Sequence, residues 1–249
     1  MAASARSSFR ERYRHTFNKR PEHGWCIIFG YPIGRLLVLL IAPVGWIRPN
    51  ALTLLGFGCK MSAAAGLLSA RSTAGLAASL ALLQAGSILD CMDGTLARLR
   101  GTSSEIGALA DKVGDIVALF VLGAVVGVRA CRESGEPLWI AVGCAGGFAH
   151  LLRVYTFWVM RFLTHERVDE AALTGLAPIP AWGEIGREWL RGWPHMLRFR
   201  ESDQYFFVAV FVLAADFRWA AAVFSGTLVF GCCWRLGEHF LALRRRRGA

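Results

Sequence analysis

The stretch from Asp90 to Asp115, DCMDGTLARLRGTSSEIGALADKVGD, decides how this chain is read. It carries four carboxylates (Asp90, Asp93, Asp111 and Asp115), Arg98, and the small residues Gly94, Ala97 and Gly107. On a helix, residues three or four apart are neighbours, so Asp90 and Asp93 share one face and Asp111 and Asp115 share another. Gly107 stands one turn before Asp111 on that second face. The runs on both sides are apolar enough to enter a bilayer, and a carboxylate beside hydrocarbon is costly, which marks such a cluster as functional.

Outward from this stretch, the apolar residues come in long blocks rather than in strand-like alternation. The chain has 249 residues, 55% of them hydrophobic and 18% charged, with a mean hydropathy of +0.41. Blocks approaching 20 residues read as membrane helices. Six spans are expected, at about 50–70, 74–97, 107–128, 137–160, 203–215 and 219–242, the fifth being the shortest. Pro49-Asn50 starts the first, with Asn50 as its N-cap, and Pro137 suits the first turn of the fourth. A loop over 99–106 joins the second to the third, and Asp216-Phe217-Arg218 makes a tight turn before the sixth. The fold class is therefore all-α and polytopic, with interfacial helices added. One is expected over 33–47, which is broken by Pro43, edged by Arg35 and Arg48, and flanked by Trp25, Tyr31 and Trp46. Another lies in the long 161–202 connection, where Trp182, Trp189 and Trp193 fall on one helical face. By domain, 1–48 is a basic tail and interfacial helix, 49–243 the six-helix body, and 244–249 a basic tail.

Charge orients this arrangement. The formal net charge is +10, and six spans gather the basic residues on one side. That side holds the N-terminal arginines, Arg98, Arg100, Arg161, Arg187, Arg191, Arg198, Arg200 and the run Arg244 to Arg247. The other holds little beyond Arg71, Arg129, Arg132 and Arg218. The positive-inside rule puts both termini and the acidic cluster at the cytoplasmic face, as in a bacterial inner membrane. It accounts for the charge more simply than nucleic-acid binding does. The seven cysteines have no CxxC and no histidine at paired spacing, so neither a zinc site nor a disulfide framework is expected. The basic, serine-containing start lacks the apolar core of a cleaved signal peptide.

Two acidic helix faces joined by a short loop can oppose each other. Four carboxylates in one cavity repel unless cations are present, and oxygen-only donors favour hard ions such as Mg²⁺, Mn²⁺ or Ca²⁺. A substrate phosphate completes such a coordination sphere, and two ions can stabilise the attacking and leaving oxygens of a phosphoryl displacement. Arg98, one turn past Gly94, is suited to hold a phosphate through paired donors. Gly94, Ala97 and Gly107 leave room for a nucleotide to approach the backbone. Taken singly, each feature has a plainer reading: a solvated helix end, close helix packing, or a topological charge. Those readings do not account for all eight residues at fixed spacing.

That spacing, D-x2-D-G-x2-A-R-x8-G-x3-D-x3-D, resembles the signature of the CDP-alcohol phosphotransferases at every position. Pro49-Asn50-Ala51-Leu52-Thr53 is similar to the P-N-x-x-T start of the first span in that family. The resemblance implies six transmembrane helices, a homodimer, and a cytoplasm-facing polar cavity with two divalent ions, Mg²⁺ or Mn²⁺. It implies transfer of a substituted phosphate from a CDP-linked donor to an alcohol with release of CMP, in phospholipid or related polar-lipid biosynthesis. By the same resemblance Asp90, Asp93 and Asp111 are metal ligands, and Asp115 ligates and acts as general base. Gly94, Ala97, Arg98 and Gly107 shape and bind the CDP moiety, with Asn50 and Thr53 near the nucleotide.

The substrates divide two ways. One branch of the family uses CDP-diacylglycerol with a small polar acceptor, and another uses a soluble CDP-alcohol. Thr53-Leu54-Leu55-Gly56-Phe57 resembles the choline and ethanolamine phosphotransferases, whereas Asn18-Lys19-Arg20-Pro21 up to Trp25 resembles enzymes joining CDP-inositol to inositol phosphate. Lys60 and Arg153 fall inside expected spans, where a cation needs a cavity or a counter-charge. Either one of them receives an anionic acceptor or lipid phosphate, with Arg198 or Arg200, or they pair with Asp111 or Asp115 or snorkel to the interface. His150 on the fourth span reads as a ligand or, more simply, as a packed, hydrogen-bonded side chain. A metal-dependent prenyltransferase shares the paired aspartates but not the Gly94, Ala97, Arg98 and Gly107 spacing. A transporter with an acidic ion site would spread its carboxylates over several helices at mid-membrane.

Overall fold

The computed structural model describes residues 24–164 and 200–247, with Gly186, Arg187, Leu190, Gly192, Trp193, Pro194 and Met196 between them. The basic segment before residue 24, Trp182 and Trp189 of the expected interfacial helix, and Arg198 lie outside the described residues. Among the described residues all regular structure is helical. A π-helical turn, Cys26–Gly30, leads into α1 (Tyr31–Ile41). There follow α2 (Pro49–Ser69), α3 (Thr73–Arg100), α4 (Glu105–Ser134), α5 (Leu138–Thr164), α6 (Glu201–Ala214) and α7 (Phe217–Arg247).

Five of these, α2, α3, α4, α5 and α7, are long and apolar enough to cross a membrane, which makes the chain an integral membrane protein. Cys26–Ile41 and Ser202–Ala214 are shorter apolar helices. With 14 residues, α6 is about 21 Å long, short of a hydrocarbon core of about 30 Å. The expected fifth span is this short element.

Helix ends explain the differences from the expected boundaries. Asn50 is not the N-cap of α2. The helix begins one residue earlier, with Pro49 at its first position, where a missing N–H costs nothing. The Arg48 carbonyl accepts from the Ala51 and Leu52 N–H groups. The expected 99–106 loop shrinks to residues 101–104. At the end of α3, Gly101 adopts φ +64°. The Thr102 N–H reaches the Ala97 carbonyl at 2.9 Å and the Gly101 N–H reaches Arg98 at 3.1 Å, a Schellman ending that turns the chain at once. Ser104 then caps α4, its Oγ accepting the Gly107 N–H at 3.1 Å. At the start of α7, Asp216 Oδ1 accepts from the Arg218 and Trp219 N–H groups at 2.8 and 3.0 Å. The Arg218 side chain beside Asp216 holds its carboxyl below the usual carboxylate range. That cap therefore persists above the ordinary carboxylate pKa and is lost only as pH falls through the lowered value.

The chain divides into two compact units. The first comprises residues 1–60, 84–112 and 168–203, and the second 61–83, 113–167 and 204–249. In the first, Val38, Leu52, Met92 and Leu96 form the apolar core. Arg100 ties this unit together: its Nη2 donates to the carbonyls of Val44 at 2.8 Å and Ala42 at 3.1 Å, and its Nη1 to that of Ile47. These acceptors follow α1, where carbonyls lack intrahelical partners. Asp203 does comparable work, accepting the Trp25 N–H at 2.7 Å and the Arg200 N–H at 3.0 Å.

In the second unit Leu67, Leu83, Leu119, Leu122, Phe224 and Leu228 are central. Helices α4 and α5 meet there through glycines. A methyl at Gly143 would lie 2.1 Å from the Gly123 carbonyl oxygen, and one at Gly127 2.5 Å from the Trp139 oxygen. Small residues permit such close backbone approach in lipid, where packing rather than water exclusion holds helices together. Gly143→Ala forces the two backbones apart and is expected to cost about 1–3 kcal/mol, the usual range for overpacking. A lowered thermal midpoint in detergent checks this; an unchanged midpoint would deny the tight contact a role. Near the far end of α4, Arg129 and Arg132 donate to the Ala70 and Leu68 carbonyls at 2.8 and 3.1 Å, which accommodates charge at the end of a long apolar helix.

Candidate metal and nucleotide site

The site is built where α2 and α3 run past each other in the first unit. The contact is close because it is made of glycines: a methyl at Gly86 would sit 2.8 Å from the Gly56 carbonyl oxygen. On α2, Thr53 and Lys60 stand about one turn to either side of Gly56, and both reach aspartates that follow Gly86 on α3. Thr53 Oγ1 donates to Asp93 Oδ2, and Lys60 Nζ lies 3.1 Å from Asp90 Oδ1. Asp93 is also the acceptor for the Gly94 N–H, so one oxygen is held by backbone and the other by a hydroxyl.

The tight Gly101–Ser104 turn returns α4 beside α3. Carboxylate oxygens of Asp90, Asp93 and Asp111 all lie within 4.8 Å of one another. Asp93 is enclosed, at 7% exposure, while Asp90 and Asp111 are a quarter to a third open. Three converging hard oxygen donors suit a divalent cation such as Mg²⁺ or Mn²⁺, and their mutual repulsion asks for one. Lys112 approaches Asp111 at 3.7 Å from the exposed side. Asp115 is not one of these three; it follows Asp111 by one turn of α4 and is buried.

The remaining signature residues lie along the last turns of α3 and at the start of α4. Arg98 folds back along α3: its Nη2 reaches Thr95 Oγ1 at 3.4 Å, and a methyl at Gly94 would meet its Nη1 at 3.1 Å. Glycine at 94 therefore makes room for the guanidinium of Arg98, whose buried Nε has no hydrogen-bond partner among the described residues. A methyl at Gly107 would come 3.4 Å from Asn50 Oδ1, so Asn50, released from capping, faces the start of α4. Ala97 is half-buried, and its carbonyl serves the turn after α3.

Two expectations about inner cations change. Lys60 pairs with Asp90, a carboxylate that the expectation did not name. Arg153 lies 3.3 Å from His150 Nδ1 within α5, and His150 is fully packed at 1% exposure. Arg100 and Asp203 contribute polar atoms that hold the first unit, and of the two only Arg100 is read from sequence, as a topological charge. Arg100 reaches carbonyls over 50 residues away and Asp203 reaches Trp25 across 178 residues, and no local spacing announces those contacts.

A family model described as CDP-alcohol phosphatidyltransferase matches residues 46–232, about three quarters of the chain. The match takes in the acidic stretch and continues well beyond it, through α5 and α6 and into α7. No curated protein matches.

Proposed function

Because this chain belongs to the CDP-alcohol phosphatidyltransferase family, we propose that it transfers a substituted phosphate group from a CDP-linked donor to the hydroxyl of an acceptor alcohol, releasing CMP. The observation that carries this reading is the convergence of Asp90, Asp93 and Asp111 on one point, on the motif that the family shares. In this reading those three carboxylates, together with Asp115, would hold two divalent ions, Mg²⁺ or Mn²⁺. When bound, such ions would neutralise charge on the donor's phosphates.

The chain's own residues divide the remaining work. Asp115 takes the proton of the acceptor hydroxyl as its oxygen attacks the phosphorus bearing the donor alcohol. The bond from that phosphorus to the bridging oxygen breaks, and the bridging oxygen leaves on CMP. Arg98 binds the donor's phosphates, and Gly94, Ala97 and Gly107 give the CDP moiety access to the helix backbones. Asn50 stands at the Gly107 edge of the nucleotide, and Thr53 orients Asp93. The reaction serves phospholipid or related polar-lipid synthesis, with at least one substrate a lipid. The six-helix body of residues 49–243 counts α6 as a short sixth span, faces its active site to the cytoplasm, and pairs as a homodimer.

The donor is CDP-diacylglycerol or a soluble CDP-alcohol. Purified protein supplied with Mn²⁺ or Mg²⁺ and with each radiolabelled donor in turn, over a panel of polar and lipid alcohols, is expected to release CMP with one donor class. CMP release from neither class would overturn the transferase reading in favour of ion transport through the acidic site.

A further inference from the structure

Lys60 is nearly sealed from solvent, at 3% exposure, with its ammonium 3.1 Å from Asp90. A cation inside a membrane helix is costly unless paired, and a snorkelling lysine would reach an interface rather than stay enclosed. Its path is built into the opposing helix. A methyl at Gly86 would stand 2.9 Å from Lys60 Cγ, so the glycine that lets α2 approach α3 also clears a channel for the lysine stem. The carboxylate at the end of that channel is one of three whose oxygens lie within 4.8 Å. The lysine thus serves a buried charge and a crowded anionic cluster at once.

We propose that Lys60 is a built-in counter-ion of the carboxylate cluster: it holds Asp90 in place and neutralises part of the cluster's charge, so that it sets how tightly a divalent cation is bound. This rests on the reading of Asp90, Asp93 and Asp111 as metal ligands. Lys60 is a positioning residue that acts through Asp90. Its charge opposes a divalent ion at the same carboxylates, so metal loading is weaker than three unopposed aspartates would give.

The test needs no substrate. Mn²⁺ binding is measured by loss of the free-ion electron paramagnetic resonance signal in detergent-purified wild type, Lys60→Met, Lys60→Arg and Asp93→Asn. Thermal unfolding is followed in EDTA and in Mn²⁺. Lys60→Met is expected to bind Mn²⁺ about tenfold tighter or more, since a unit charge a few ångströms away no longer repels the ion. It should unfold at lower temperature than wild type in EDTA, with the gap closing in Mn²⁺. Lys60→Arg should return the affinity to within about threefold of wild type by restoring the charge. Unchanged or weaker Mn²⁺ binding by Lys60→Met overturns the inference, as does failure of that variant to fold even when purified in Mn²⁺. If wild type binds no Mn²⁺, or Asp93→Asn binds it as well as wild type does, the metal reading itself falls and the inference falls with it.

Discussion

Replacing Asp115 with asparagine is expected to lower kcat by about 10³-fold, within the range that a positioned general base contributes. Asparagine keeps the volume and one acceptor oxygen of a buried side chain, so packing on α4 changes little. What it lacks is the basicity to accept the acceptor's proton as the new P–O bond forms. CMP release at saturating Mn²⁺ gives the rate, and calorimetric titration of the donor gives binding, which should stay within a few-fold of wild type if Asp115 acts mainly on the acceptor. Retained turnover removes the base assignment. A loss of donor binding equal to the loss of rate would make Asp115 a ligand before all else.

Asp93→Asn is expected to weaken Mn²⁺ binding by at least about a hundredfold and to abolish measurable turnover. Changes in groups that merely orient ligands already cost about 10–100-fold in metal affinity or activity, and Asp93 is the most enclosed of the three carboxylates. Its oxygens are held by the Thr53 hydroxyl and by the Gly94 N–H, so its orientation is fixed by the fold. The same substitution removes one charge from a repelling trio, and the EDTA-treated variant should therefore unfold no lower than wild type. That combination, binding lost while metal-free stability is kept, separates a ligand from a structural residue. Thr53→Val, which removes only the orienting hydroxyl, should show the same pattern at about tenfold.

Much of the architecture was legible because it is local. Membrane helices declare themselves through block length, and five of the expected spans appear as long helices with ends shifted by a few residues. Errors fell where a terminus was decided by backbone partners rather than composition. Asn50 has the residue type of a cap, but Pro49 occupies the first helical position, so Arg48 stands at the N-cap and its carbonyl accepts the first helical bonds. The expected 99–106 linker includes the polar Arg100 and Glu105, both of which are helical in the fold. Gly101 at positive φ and Ser104 at the N-cap let both helices run closer to the turn. Arg100 itself was counted as a charge on the cytoplasmic side, and in the fold its guanidinium collects the carbonyls left open after α1.

Sequence alone determined which groups share a helix face, because the 3.6-residue period places Asp90 with Asp93 and Asp111 with Asp115 without reference to anything else in the molecule. It also determined the chemistry available there, since carboxylates, an arginine and small residues at those intervals fit a metal-bound diphosphate. The tertiary structure decided which faces meet and in what register. Periodicity repeats every turn, and α2 could slide along α3 by a turn with its own pattern intact. The crossing at Gly56 and Gly86 selects one register, in which Thr53 meets Asp93 and Lys60 meets Asp90. That choice was invisible from the aspartates, because it rests on backbone contact between two glycines outside the motif. It turned a cluster of negative charge into a partly compensated site with its own counter-ion.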